Sequence, residues 1–204
     1  MDKTQINPEL IRKTIDFHGH SCPGLAIGIR AAEVALREVG RSSDEEVVAV
    51  VENDNCAVDA IQFLLSCTYG KGNLIHMDYG KLAFNFYRRS DGKAIRVVGE
   101  PKIFGHQDDE FMTLRKTKMM RDLTGEEKER LNSATAARIK QIMEADLDEL
   151  FEIKPAQSPI PRKAQILESL ICEACGERTM ESRTRRFLGQ TLCVPCFEAR
   201  ENKI

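Results

Sequence analysis

Leu82-Ala-Phe-Asn-Phe-Tyr87-Arg-Arg-Ser90-Asp91-Gly92-Lys-Ala94-Ile-Arg-Val-Val98 decides the fold of this chain. Two short runs rich in aromatic and β-branched residues flank Ser90-Asp91-Gly92, which has the composition of a tight turn, so the stretch reads as two consecutive strands. Upstream, Val47 to Glu52 is β-branched and short enough for a buried strand, and Leu74–Met77 supplies another. Helical stretches surround them. Asn7-Pro8 opens the first, as a cap residue followed by proline at the first helical position, and it runs to Asp16. A second runs from Pro23 to about Val39 and stops at Gly40, and a third runs from Cys56 to about Ser66. Phe111–Lys118 and Gly125–Leu150 follow. The longer of these begins at a capping box, Thr124-Gly-Glu-Glu127, and carries Leu131, Ile139, Ile142, Met143, Leu147 and Leu150 along one face. Consecutive strands with short turns, flanked by helices, predict an α+β fold with an antiparallel or mixed sheet rather than a doubly wound one. Pro155, Pro159 and Pro161 forbid regular structure. They place a linker at 154–165 between a core at 1–153 and a small unit at 166–204.

Composition narrows the function classes. The chain has 204 residues, 42% of them hydrophobic, and a net charge of −2, which gives no global electrostatic reason to bind nucleic acid. No run approaches the apolar length of a membrane span, and the polar start has no apolar signal-like region. Seven cysteines, distributed as a metal array and near candidate site residues, fit a reducing cytoplasm better than a disulfide framework.

Cys172, Cys175, Cys193 and Cys196 form a C-x2-C-x17-C-x2-C array. Two short cysteine pairs at that separation close a tetrahedral site of four sulfurs, which suits Zn2+, and with no position left open the zinc is structural. Gly176 can take the left-handed backbone of a knuckle, Arg186–Leu192 reads as half of a hairpin, and Cys193-Val-Pro-Cys196 leads into a helical stretch. Knuckle, hairpin and helix are the order of a treble-clef zinc finger. Phe187, Leu188, Leu192 and Phe197 are its apolar payload, too little for a self-sufficient core. Residues 172–204 hold six Lys/Arg and five Asp/Glu, and four thiolates on zinc add about −2. Strong counterion-release binding to RNA or DNA is therefore not favoured, despite the local patch Arg183-Thr-Arg-Arg186.

A second cluster, His18-Gly-His20-Ser-Cys22-Pro-Gly24, lies between two helices, with Pro23 setting the start of the second. Cys22 is then near a helix N-terminus, where backbone dipoles favour thiolate, and two imidazoles beside a thiol suit Zn, Ni or Fe. The plain alternative is a tight glycine-rich turn. In an extended loop His18, His20 and Cys22 share a face, whereas a helical turn pairs only His18 with Cys22. Cys56 also stands at a helix start, with Asp59 a turn later on the same face. Cys67 lies eleven residues beyond Cys56, about 16 Å along a continuous helix, too far for one ion. Thr68–Asn73 is a glycine-rich turn too short for a phosphate-binding P-loop, and Lys71 and Lys81 are candidate anion contacts. Gly24, Gly28, Ala32 and Ala35 read as small residues that let another element approach closely.

Phe17-His-Gly-His-Ser-Cys-Pro-Gly24 with Gly28 and Arg30, then Cys56-Ala-Val-Asp-Ala-Ile-Gln62, Cys67-Thr-Tyr-Gly-Lys-Gly-Asn-Leu74 and Asp78-Tyr-Gly-Lys-Leu-Ala83 together resemble the FmdE family. That family takes its name from one of the subunits of molybdenum or tungsten formylmethanofuran dehydrogenase. The resemblance covers roughly residues 1–150, and the four-cysteine unit resembles that of longer members. It implies an α+β core, an intertwined homodimer, and a metal or ligand site built from the HGH-x-CPG loop and the cysteine helix. Carried over by position, His18, His20, Cys22 and Cys56 are the candidate metal or ligand residues, with Asp59, Cys67, Lys71 and Lys81 around them. The expected function is a metal-binding protein, accessory or catalytic to such a dehydrogenase system and with an enzyme-complex partner. The alternative is a regulator or adaptor whose finger contacts protein or nucleic acid. No catalytic signature stands independently of the resemblance.

Overall fold

The computed structural model describes residues 4–104 and 109–201, so the outermost residues of both expected units lie outside it. The chain divides into two compact units, Met1–Lys163 and Ala164–Ile204. The first contains α1 (Pro8–His18), α2 (Pro23–Glu38), β1 (Val47–Val51), α3 (Ala57–Leu65), β2 (Leu74–His76), β3 (Ala83–Arg88), β4 (Ala94–Gly99), α4 (Glu110–Met120), α5 (Gly125–Glu144), α6 (Leu147–Leu150) and β5 (Phe151–Pro155). Its five strands lie in the order β2-β1-β3-β4-β5. Only the β1–β2 pair is parallel; the other neighbours are antiparallel. The α+β reading holds, with a mixed sheet.

Two differences from the sequence reading concern the end of this unit. The long helix expected over 125–150 breaks at Ala145, because the Asp146 side chain and Glu149 form a capping box that starts α6 anew. Lys154 and Pro155 continue β5 rather than opening a linker, with Lys154 opposite Arg96 and Pro155 opposite Ile95. Proline is tolerated there because β5 is an edge strand at the end of the ladder. Downstream, Arg89 Nη2 donates to the Pro161 carbonyl at 2.9 Å, and the Tyr87 side chain bonds Ser158.

α2 is the hub. Every residue from Leu25 to Ala35 is buried, including Arg30 and Glu33. That ion pair, 2.7 Å long, is satisfied from outside the helix. Glu33 accepts from Thr4 Oγ1 and Gln5 N, and Arg30 Nη2 donates to Ala145 O. The charges thereby tie the N-terminal segment and the α5–α6 break to the central helix, as a buried pair must if its desolvation is to be offset. α3 packs on α2 at a very close approach: a methyl group built on Gly28 would lie 2.3 Å from the Ala57 carbonyl oxygen. One face of the sheet (Val47, Ala49, Val51, Phe84, Phe86, Ile95, Val97) joins these helices in the main core. Toward the opposite face, Arg96 clamps Glu52 with Nη1 and Nη2 of its guanidinium, and Asn85 Nδ2 donates to Glu52 at 2.8 Å.

The second unit has β6 (Ser169–Ile171), β7 (Arg178–Met180), β8 (Thr184–Phe187), β9 (Gln190–Cys193) and α7 (Val194–Glu201), paired as two antiparallel hairpins. The stretch 186–192 straddles the turn of the second hairpin rather than forming one arm. Leu188 sits at its tip with φ 48° and 88% exposed, so it is not part of the small core. That core is Cys172, Leu192 and Cys193, with Phe187, Cys196 and Phe197 packed against it. Phe187 and Phe197 meet edge to face at 5.6 Å.

Candidate metal centres

The finger's four ligand positions come from three local devices. Cys172 and Cys175 lie on the turn joining β6 to β7, where Gly176 takes φ 77° and its N–H closes onto the Cys172 carbonyl at 2.9 Å. Cys193 ends β9, and Cys196 lies in the first turn of α7. All four sulfurs fall within 4.8 Å of one another, with Cys175 and Cys193 3.9 Å apart. Sulfurs at the corners of a tetrahedral zinc site stand about 3.8 Å apart, so the donor set fits the ion. Electrostatics agree. Backbone N–H groups of Cys175, Cys193 and Ala174 draw the Cys172 thiol down to about 6, while neighbouring Cys193 and Cys175 push Cys196 up to about 12. A cluster in which the Cys172 thiolate forms readily while the Cys175 and Cys196 thiols are held up gains from a dication that all four sulfurs can share.

The core cluster is assembled where α1 ends and α2 begins. His18 is the last residue of α1, and Gly19 (φ 91°) turns the chain in a left-handed C-cap. Cys22 is the extended N-cap of α2, its sulfur accepting from Leu25 N at 3.4 Å. From 18 to 22 the chain is neither extended throughout nor one continuous helix, yet the ligand atoms of His18, His20 and Cys22 converge within 4.8 Å. His18 Nε2 lies 3.8 Å from Cys22 Sγ, close to the separation of about 3.6 Å for nitrogen and sulfur on one tetrahedral ion. The other nitrogen, Nδ1, is 2.7 Å from Asp59 Oδ2 on α3. A carboxylate on one imidazole nitrogen fixes the tautomer that turns the other toward a metal.

Cys56, at the start of α3, stands beside Cys22 but outside that triplet. A methyl group built on Gly24 would lie 3.7 Å from the Cys56 sulfur and 3.9 Å from that of Cys22, so the glycine leaves room between the two thiols. Burial, and then the Cys22 thiol, push Cys56 up from its ordinary value.

The remaining candidates lie elsewhere. Cys67 is fully buried in the core, donating to Val47 O at 3.4 Å, and burial pushes its thiol up to about 12. Lys71 Nζ donates to Ser66 O at 2.6 Å and Asp44 O at 3.1 Å, fastening its own glycine-rich turn. Lys81 Nζ lies 5.9 Å over the Tyr79 ring.

Beside the triplet opens a cavity of about 740 Å3, lined by His20, Cys22 and Cys56 together with residues of α4 and α5. Sequence reading gives α4 no role beyond being a helix. The signal it does carry is a mixed stripe of Phe111, Arg115, Lys118 and Met119 at helical spacing.

Residues 17–152 match the family model described as FmdE, molybdenum formylmethanofuran dehydrogenase operon. The chain belongs to the FmdE family. Residues 165–202 match the prokaryotic dksA/traR C4-type zinc finger, which with the four converging sulfurs makes this a metal-binding, zinc-finger member. A relative from Archaeoglobus fulgidus, named a probable S-adenosyl-L-methionine-binding protein, is 32% identical over 199 residues. The match takes in 92% of this chain and 52% of that protein, so the chain spans about half its length. The crystal structure of a tungsten formylmethanofuran dehydrogenase FmdE-like protein from Syntrophus aciditrophicus shares the fold, with a TM-score of 0.62 and 22% identity over 95% of this chain and 93% of that one. Among the described residues no helix is long and apolar enough to cross a membrane.

Proposed function

We propose that this FmdE member holds two metal ions of different kinds, a structural zinc in its finger and a reactive transition metal in its core. The observation that carries the second is the convergence of His18, His20 and Cys22 within 4.8 Å, with the far nitrogen of His18 bonded to Asp59. Three protein ligands leave a position open, as in catalytic rather than structural sites. That position faces the cavity that His20, Cys22 and Cys56 line. Zn, Ni or Fe fits two imidazoles and a thiol. When bound, such an ion supplies Lewis acidity to a group placed in the cavity. Asp59 orients His18, Pro23 and the α2 N-cap fix Cys22, and Cys56 borders the open position. The core thus handles a small molecule for an oxidoreductase system of the kind that gives the family its name.

The finger, in a treble-clef arrangement, serves assembly in our reading. Its near-neutral charge and the exposed Leu188 and Ile171 favour contact with protein, in the first place a second copy of the chain, over nucleic acid. A second reading comes from the A. fulgidus relative, by which the cavity takes S-adenosylmethionine. Equilibrium dialysis with that compound tests it, since the shared half of the relative need not be the half that binds.

Metal analysis of the full chain, loaded with Zn2+ or Ni2+ and desalted, tests the main proposal. Two metals per chain are expected, falling to one in His20→Ala. One metal in the unaltered protein, or two in the variant, would defeat the core site. Light scattering at twice the chain mass would support the dimer.

A further inference from the structure

The cavity beside Cys22 and Cys56 is lined also by α4, whose contribution to it is positively charged. α4 turns Phe111, Met112, Arg115, Lys118 and Met119 toward it, a single helical stripe in which two cations interrupt an apolar wall. Among the described residues no carboxylate lines the cavity. The other arginines of α4, α5 and their connection are paired with acids: Arg121 with Glu127, Arg130 with Glu110, and Arg138 with Asp109. Arg115 is the exception. Its guanidinium lies 5.6 Å over the Phe111 ring, and among the described residues no acid meets it. Stacking occupies the face of a guanidinium and leaves its N–H fork, which matches the two oxygens of a carboxylate or phosphate. Lys118, one turn further on, likewise has no acidic partner among the described residues and adds a point charge.

We infer that the cavity takes a small amphipathic anion. Its carboxylate or phosphate lies on Arg115 and Lys118, its apolar body lies against Ile27, Leu82 and Phe111, and its far end reaches the open position beside Cys22 and Cys56. The inference rests on the proposed core site and names the substrate class for it. An uncharged ligand would leave two cations facing an apolar molecule, and a cationic one would be repelled.

The test uses the zinc-loaded full chain and three probes with one apolar body and different heads: octanoate, octyl phosphate and 1-octanol, titrated calorimetrically. Octanoate or octyl phosphate should bind at least about tenfold more tightly than octanol, the scale of a charge-assisted hydrogen bond. Whichever of the two binds better tells a carboxylic acid from a phosphate ester. Arg115→Gln and Lys118→Gln are exposed helix positions that leave folding intact, checked by melting temperature. Each should erode the preference, and the double variant should abolish it. Equal binding of the three probes, or a preference unchanged in the double variant, overturns the inference. Core metal content measured on the same samples separates the two claims. Metal without anion preference defeats only the cavity's ligand class, whereas anion preference with no core metal defeats only the metal site.

Discussion

The two clusters of potential metal ligands in this protein are built by opposite routes. In the finger, all four ligands fall between residues 172 and 196, and the apolar core around them is three buried residues with three partners. In the core unit, the three candidate ligands sit where α1 gives way to α2, and their position depends on α1, on a wholly buried stretch of α2, and on α3 held against α2 through Gly28. One cluster is closed by turns local to it, while the other is positioned by helices packed in the main core. The difference also sets chemistry. Four sulfurs enclose an ion and leave nothing for a substrate, whereas two imidazoles and a thiol at the edge of a cavity leave a face open.

The largest effect that bears on this contrast is loss of one finger ligand. Cys193→Ser removes a sulfur that is also part of the small core, and metal binding of about 10–16 kcal/mol is the folding energy of such modules. Zinc content should fall by one per chain, and amide signals of residues 164–201 should collapse to random-coil positions while those of 4–163 stay dispersed. A finger that remained folded would mean that burial, not metal, holds it.

A change inside the core unit should do the reverse. Gly28→Ala places a methyl group 2.3–2.8 Å from the backbone of Ala57, where rigid helix and not a flexible side chain must yield. Overpacking of that kind costs about 1–3 kcal/mol, and the upper end applies because backbone is displaced. The melting transition of residues 4–163 should drop, and because α3 moves, Cys56 and Asp59 should separate from the loop and weaken core metal binding. Finger zinc should be unaffected. A variant with unchanged core stability would show that the approach of α2 and α3 relaxes at little cost.

These contrasts explain what could be read in the chain. The finger was legible because zinc geometry is written in local spacing: two C-x2-C pairs suffice. Strands β1, β3 and β4 were legible because they carry β-branched and aromatic runs bounded by Ser90-Asp91-Gly92 and similar turns. β5 was hidden, since Glu152–Pro155 is exposed at a sheet edge and pairing, not composition, makes it a strand. The continuous apolar face from Leu131 to Leu150 concealed the break at Asp146, because the periodicity passes through a capping residue. Membership of His18, His20 and Cys22 in one cluster followed from nearness in sequence, but their geometry needed the left-handed turn at Gly19. Lys71 and Cys67 have the residue types of a site, and the structure places one on a glycine-rich turn that it fastens and the other in the core. The cations on α4 carry no signal of their own in the sequence, because an exposed arginine is ordinary until it faces a cavity.

Glu52 shows how far the core unit is held by interactions other than apolar burial. Burial raises its carboxyl pKa, but hydrogen bonds from Arg96 and Asn85 outweigh that and hold it below the ordinary value. A depressed carboxyl stabilises the fold above the unfolded-state pKa, near 4.3 in model peptides, and the contribution is lost as pH falls through the folded value. Acid titration of core stability should therefore show a loss below about pH 4 that Glu52→Gln lacks. At pH 7 the variant should be less stable by about 2 kcal/mol, less than for a fully buried pair because the Arg96 side chain keeps 21% of its exposure. Parallel acid curves for the two proteins would assign the acid sensitivity elsewhere.

The smallest effect sharpens the comparison most, because it should change one site's metal and nothing else. Asp59→Asn keeps the shape of the side chain that meets His18 Nδ1 at 2.7 Å but removes its charge. Partners of this kind typically contribute ten- to a hundredfold to metal affinity, and the low end, about tenfold, is expected because the Asp59 side chain is 39% exposed and solvent screens it. A pair whose carboxylate is open to solvent contributes little to folding, so core stability should change by no more than about 1 kcal/mol. The finger draws on none of these groups, so its zinc should be retained in full. The measurement is competition of the loaded protein against a graded series of chelators, which removes the weaker core ion before the finger zinc. Equal core affinity in the variant and the unaltered protein would mean that His18 does not present Nε2 to a metal, and that the Asp59 contact serves only to hold α1 against α3.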